Sequence, residues 1–333
     1  MATCLKADVQ DFESIWGLIQ ESGDQTDRWV SKEDLKVLAF GEKDEQLCDY
    51  FVAKNEGRVV AVAAIFYLYS TWVGKAICAD EFLTNSGEEA QDAVLKELFK
   101  TVLERDCHRL RLTLNRSDTA LLQRYAEWGG KIETEWLTVR LPKNGLDQFA
   151  KEASKLNKHY HIRLATKDDV QSILYLIQCL AEYENDPNAV QTDEEILKED
   201  GYGKESYYQC FVAETDLLDE KVVQTGTLSA KMIHNPRIIG FALHHIMYCK
   251  KKGKVMHLED LFVRQEHRKR GVGTELMREC AKAGVLLGCK EMDWQVLDWN
   301  TKAIQLYERL GGVLDKKSIF VQFKEDCMRN ILQ

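Results

Sequence analysis

The segment Arg268-Lys269-Arg270-Gly271-Val272-Gly273 places three basic side chains and two glycines after a strand-like run, HLEDLFV at 257–263. It is followed by a stretch whose apolar positions Leu276, Cys280, Ala283 and Leu287 share one helical face. A turn of that kind aims backbone N–H groups outward, lets a ligand approach the chain at glycine and adds the positive end of a helix dipole. The chemistry it fits is phosphate binding. Two carboxylates, Glu259 and Asp260, lie on the strand that leads into it. Because side chains alternate along a strand, this pair is expected to face opposite sides unless a bulge intervenes.

The elements that must hold these residues occur twice. LIQ at 18–20 recurs at 176–178, FVA at 51–53 recurs at 211–213, and LQRYAEWGGK at 122–131 faces IQLYERLGGV at 304–313, in the same order. An insertion at 215–237 accounts for most of the difference in length. The first helix of each copy carries an i, i+3, i+4, i+7 stripe: Phe12, Ile15, Trp16 and Ile19 against Val170, Ile173, Leu174 and Ile177. Strands are expected at 50–54, 59–68 and 75–83 in copy one and at 208–214, 238–248 and 254–264 in copy two. Each copy ends in an alternating strand, 134–141 and 318–324. The expected fold is α/β with mixed sheets in two tandem domains, 1–142 and 161–333. A linker at 143–160 begins directly after Pro142 in a Pro-Lys-Asn-Gly turn, carries four lysines and holds a short helix-like stretch. In copy one the loop region reads TNSGEEAQDAVLKEL at 84–98, with Glu88, Glu89 and Asp92 where copy two is basic. Ser86 is expected to cap that helix, and its carboxylates to repel phosphate.

Composition narrows the function classes. The 333 residues include 45 Lys and Arg against 54 Asp and Glu, a net charge of -9, so nucleic acid and anionic membranes are not expected partners. With 3 Pro and 20 Gly, collagen-like and linker-like compositions are excluded. The longest apolar run, 59–69, is well short of the roughly 20 residues that span a bilayer. Ten cysteines without a CxxC pair read as reduced thiols, with no metal site. The start MATCLKADVQDFES has no basic stretch followed by an apolar core, and a cytoplasmic protein is expected.

RKRGVG resembles the R/Q-x-x-G-x-G/A acetyl-CoA pyrophosphate loop of the GNAT acetyltransferases. Copy two resembles the spermidine/spermine (diamine) and thialysine acetyltransferases through AEYE (181–184), EDGYGKESYYQCFVAE (199–214), IIGFAL (238–243), HLEDLFV, the loop, and DWNTKAIQLYERLGG (298–312). The resemblance implies acetyl-CoA as acetyl donor. It implies that Leu261, Phe262, Val263, Arg268, Lys269, Arg270, Gly271, Val272, Gly273 and Thr274 bind that donor, supported by Asn300, Thr301, Lys302 and Ala303. It implies Glu259 as a base acting through water, Tyr307 as the acid that protonates the thiolate, and Tyr183, Glu184, Glu259, Asp260, Asp293, Trp294 and Gln295 around the acceptor. The acceptor so implied is a polyamine, diamine or thialysine-like amine.

The chain departs from this family at CKKKGK (249–254), where Lys251 replaces an aromatic residue and would oppose a second cationic end. Copy one keeps the tryptophan, Trp72 in YSTWVGK. Such enzymes are homodimers, so two fused copies are expected to form a pseudo-dimer within one chain, with pairing of whole chains left open. Acetylation of protein lysines or N-termini, and a silent CoA-binding scaffold, are the competing readings.

Overall fold

The computed structural model describes residues 3–21, 30–217, 234–249 and 251–333. The first half runs β1 (Thr3–Lys6), α1 (Phe12–Glu21), α2 (Lys32–Phe40), β2 (Asp49–Asn55), β3 (Arg58–Ser70), β4 (Gly74–Thr84), α3 (Glu88–Glu104), β5 (Arg109–Asn115), α4 (Thr119–Glu127), β6 (Lys131–Glu133), β7 (Trp136–Pro142) and α5 (Lys143–Lys151). The second runs β8 (Tyr160–Leu164), α6 (Val170–Tyr183), α7 (Glu194–Tyr202), β9 (Gln209–Thr215), β10 (Ile238–Cys249), β11 (Gly253–Val263), α8 (Val272–Leu286), β12 (Glu291–Leu297), α9 (Thr301–Arg309), β13 (Val313–Asp315), β14 (Ser318–Lys324) and α10 (Glu325–Leu332). Of the expected insertion, residues 218–233 lie outside the described residues.

Two seven-stranded mixed sheets result, ordered β1-β2-β3-β4-β5-β14-β6 and β8-β9-β10-β11-β12-β7-β13. The orders match strand for strand except that the sixth strand of each sheet comes from the other half. β7 runs antiparallel to β12 and β13, and β14 antiparallel to β5 and β6. The division expected at 142 therefore follows the chain and not the sheets. The short helix-like stretch expected in the 143–160 linker is α5. It buries Leu146 and Phe149 in the core of the second sheet, as α10 buries Met328 in that of the first.

The cores explain how the halves join. One face of each sheet packs on a helix of its own half, α3 on the first and α8 on the second. The opposite faces meet reciprocally. Tyr69 of β3 enters the cluster formed by α6, α7 and β9, while Met247, Tyr248 and Val255 of the β10–β11 hairpin enter that of α1 and α2. Tyr69 and Tyr248 are essentially excluded from solvent, and burial of each ring contributes on the order of 2 kcal/mol. The Tyr248 hydroxyl lies 2.7 Å from that of Tyr50.

Candidate active site

The parallel pair β11 and β12 is in register only from Val255/Glu291 to Leu258/Trp294. Both strands continue, β11 to Val263 and β12 to Leu297, so the sheet opens into a wedge beyond Leu258. On its other edge β11 carries a bulge: Leu243 pairs with Asp260 and His244 with Leu258, leaving Glu259 as the extra residue. The bulge cancels the alternation expected for the two carboxylates. Glu259 Oε2 lies 3.4 Å from His257 Nε2, and the Asp260 carboxylate accepts a hydrogen bond from the Thr71 hydroxyl of the first half. Burial, followed by the charge of Glu259, holds the Asp260 carboxyl well above the usual carboxylate range.

Glu184, at the C-terminal end of α6, belongs to the same electrostatic group. Burial and then Glu259 raise its carboxyl to about 7. Tyr307 on α9 is buried, with its ring 5.0 Å from that of Trp294, and its phenol is pushed up by burial and by Glu184 and Tyr183. The chain after α9 must pass close to the sheet. A Cβ on Gly312 would stand 2.7 Å from Val139 Cγ1 and 2.9 Å from the Tyr307 carbonyl oxygen.

At the far end of β11 a 3-10 turn (Gln265–His267) leads to Lys269 at φ +62° and Gly271 at φ +84°. Gly271 precedes the first turn of α8 with no side-chain cap, and nothing lies within 4 Å of where its Cβ would be. The first-turn amides have no partner within the helix by geometry, so the backbone there fits a phosphate. Lys269 is exposed. Arg270 donates to the Tyr160 hydroxyl at 2.8 Å, and Arg268 donates Nε to the Val263 carbonyl at 2.7 Å while its guanidinium lies over the rings of Tyr183 and Phe262. Asn300 caps α9 by accepting from the Ala303 amide at 3.4 Å, with Thr301 and Lys302 exposed beside it.

Copy one keeps the bulge, with Ala64 opposite Glu81 and Ile65 opposite Ala79, so Asp80 stands where Glu259 does. Its loop is shortened. β4 ends at Thr84 and the helix begins after Gly87, whose φ of +81° is positive like that of Gly271 although its ψ of -174° is extended where that of Gly271 is -6°. Ser86 is therefore not the cap, and no side chain caps that helix. What separates the copies is charge and loop length: Glu88 and Asp92 sit at this helix start, paired with Arg124 at 3.4 and 2.5 Å.

Of the three acceptor residues expected on β12, Asp293 joins the polar group, through a 2.6 Å contact with His257 Nδ1. Trp294 is a core residue beneath Tyr307, and Gln295 is half-buried opposite Thr138. Besides His257, three contributors were not expected from the sequence. Thr71 bonds Asp260. Arg109 of β5 feels the charge of Glu259, which offsets part of the lowering that burial imposes on its guanidinium. Thr192 donates Oγ1 to the Thr71 carbonyl at 2.5 Å. The neighbouring Trp72 carbonyl accepts from the Gln191 and Thr192 amides at 2.6 and 3.2 Å, so the first half's hairpin is fastened at the second half's site. The hairpin carrying Lys251 is fastened to the first half instead, where the Lys251 carbonyl accepts from Val30.

Residues 181–312 match the Acetyltransferase (GNAT) family. A thialysine N-epsilon-acetyltransferase of Bos taurus is 36% identical over 151 residues, covering 45% of this chain and 82% of that protein. The chain belongs to the GNAT acetyltransferase family. The human spermidine/spermine N(1)-acetyltransferase-like protein 1 is 29% identical over 155 residues, 46% of this chain and 21% of that protein. A tandem GNAT protein from the clavulanic acid biosynthesis pathway shares the fold with TM-score 0.52 at 13% identity, covering 98% of this chain and 99% of that one. A GCN5-related N-acetyltransferase from Sphaerobacter thermophilus does so at 0.51 and 15%, covering 97% and 96%. The GNAT fold is thus used twice here, in a chain that is an acetyltransferase. Among its described residues no helix is long and apolar enough to cross a membrane.

Proposed function

We propose that the second half transfers acetyl from acetyl-CoA to the primary amine of a small cationic acceptor, and that the first half completes its acceptor wall. The observation that carries this is the grouping of Glu259, Asp260, Glu184 and Tyr307 beside a wedge that ends at an uncapped, basic helix start. When bound, acetyl-CoA supplies the acetyl thioester. The backbone from Arg268 to Thr274 would hold its pyrophosphate, Leu261, Phe262 and Val263 its pantetheine, with support from Asn300 to Ala303.

An acceptor ammonium titrates near ~10.4 and must lose a proton before its nitrogen can attack. Glu259 takes that proton through water. Amides of β11 left without a strand partner in the wedge stabilise the oxygen of the thioester carbonyl. Tyr307, kept protonated by its surroundings, donates to the departing thiolate. Glu259, joined by Glu184 as pH rises through 7, gives the wall its negative charge, with the polar Asp260 carboxyl beside them and Thr71 and Trp72 added from the first half. Lys251 belongs to the other hairpin, so it does not oppose a second cationic end here. A thialysine-type or polyamine acceptor fits this wall.

The test is turnover of acetyl-CoA with spermidine, putrescine, thialysine, lysine and peptide amines, beside Tyr307→Phe. Turnover of a small amine, lost in the variant, is expected. Peptide-only turnover would establish a protein acetyltransferase, and no turnover a scaffold.

A further inference from the structure

The site holds a buried imidazole that the mechanism above does not use. His257 is 2% exposed and lies between two carboxylates: Nδ1 is 2.6 Å from Asp293 Oδ1, and Nε2 is 3.4 Å from Glu259 Oε2. A neutral imidazole has one N–H and would set a bare lone pair against one of these acceptors. The imidazolium donates to Asp293 and still turns its second N–H and its positive charge toward Glu259. We propose that His257 is a positioning residue, an imidazolium anchored by Asp293 that fixes the orientation of the Glu259 carboxylate; this rests on the reading of Glu259 as the base.

The surroundings fit a single positive charge at this point. Burial opposes the charged ring, but Asp293 and Glu259 outweigh it and hold His257 protonated up to about 9. From β10, His245 packs 5.1 Å away and is held neutral by burial and by the charges of His257 and Arg111. From β5, Arg111 and Arg109 act on Asp293 and Glu259 respectively. From β7, the exchanged strand, Arg140 lies 3.7 Å from Asp293 Oδ2 and also pairs with Glu291 and Asp315 at 3.1 and 3.0 Å. Asp260 and Glu184 complete the acidic side. In copy one the register places Cys78 opposite Arg111 where copy two places His257 opposite Asp293. The imidazole–carboxylate pair therefore occurs only in the half that keeps the basic loop.

Two readouts on the full chain test this. In 15N NMR of the wild type, with the resonance assigned by its loss in His257→Gln, both ring nitrogens are expected to be protonated at pH 7.5 and to titrate near pH 9. In kinetics, wild-type kcat is expected to fall as pH rises through 9, the pH at which the ring loses its charge. His257→Gln should lower kcat about 10-fold, lose that alkaline limb and leave the acetyl-CoA KM unchanged. Should His257→Gln not fold, Asp293→Asn should move the limb down by about one pH unit or more. A neutral imidazole at pH 7.5, or variants with wild-type kcat and limb, overturns the role of His257 alone. No turnover of any acceptor by the wild type overturns Glu259 as base, and this role with it.

Discussion

Glu184 gives the site its clearest dependence on pH. With its carboxyl raised to about 7 by burial and Glu259, it is neutral below that pH and anionic above it. The acceptor ammonium stays charged throughout, so acceptor KM should fall as pH rises through 7. Glu184→Gln should flatten that dependence and leave KM about 10-fold higher at pH 8, checked by steady-state kinetics. For Tyr307→Phe the expected loss in kcat is about 100-fold, with acceptor KM little changed, because in the proposed mechanism the phenol protonates the leaving thiolate. As candidates, Glu259, Tyr307 and the basic loop are legible in the sequence because each sits in a block of distinctive residues. Thr71 and His257 are not. A threonine in a hairpin and a histidine on an apolar strand acquire a role only from what the other half or the next strand places against them.

Among the elements, the β11 bulge and the α8 start do the positioning. Alternation alone put Glu259 and Asp260 on opposite faces, and the bulge, invisible in a pattern of period two, brings them together. The Ser86 reading failed for a related reason. Ser86 is a good capping residue by type, but the chain turns one residue later at Gly87, where a left-handed φ is needed. At the equivalent Gly271, substitution by Val should cost ~1–2 kcal/mol and raise the acetyl-CoA KM while sparing acceptor binding; thermal unfolding and kinetics check both parts. The β3–β4 hairpin makes a complementary prediction. Thr71→Val removes the donor to Asp260 and should raise acceptor KM about 10-fold with acetyl-CoA KM unchanged.

In the whole molecule, the repeat and the α/β class were legible from matched blocks and periodicity, whereas the exchange of β7 and β14 was not. The two strands alternate alike and follow matching elements, so either could complete either sheet. Their exchange, with the reciprocal hairpins, ties the halves into an intramolecular pseudo-dimer. A fragment of residues 161–333 lacks β7, which leaves one edge of β12 and all of β13 without a partner. It should fail to give a folded monomer by circular dichroism and size-exclusion chromatography. Two like folds with one basic loop between them imply a single donor site. Calorimetric titration of the full chain with acetyl-CoA should give one equivalent bound per chain; two equivalents, or none, would contradict a single acetyltransferase site in the second half.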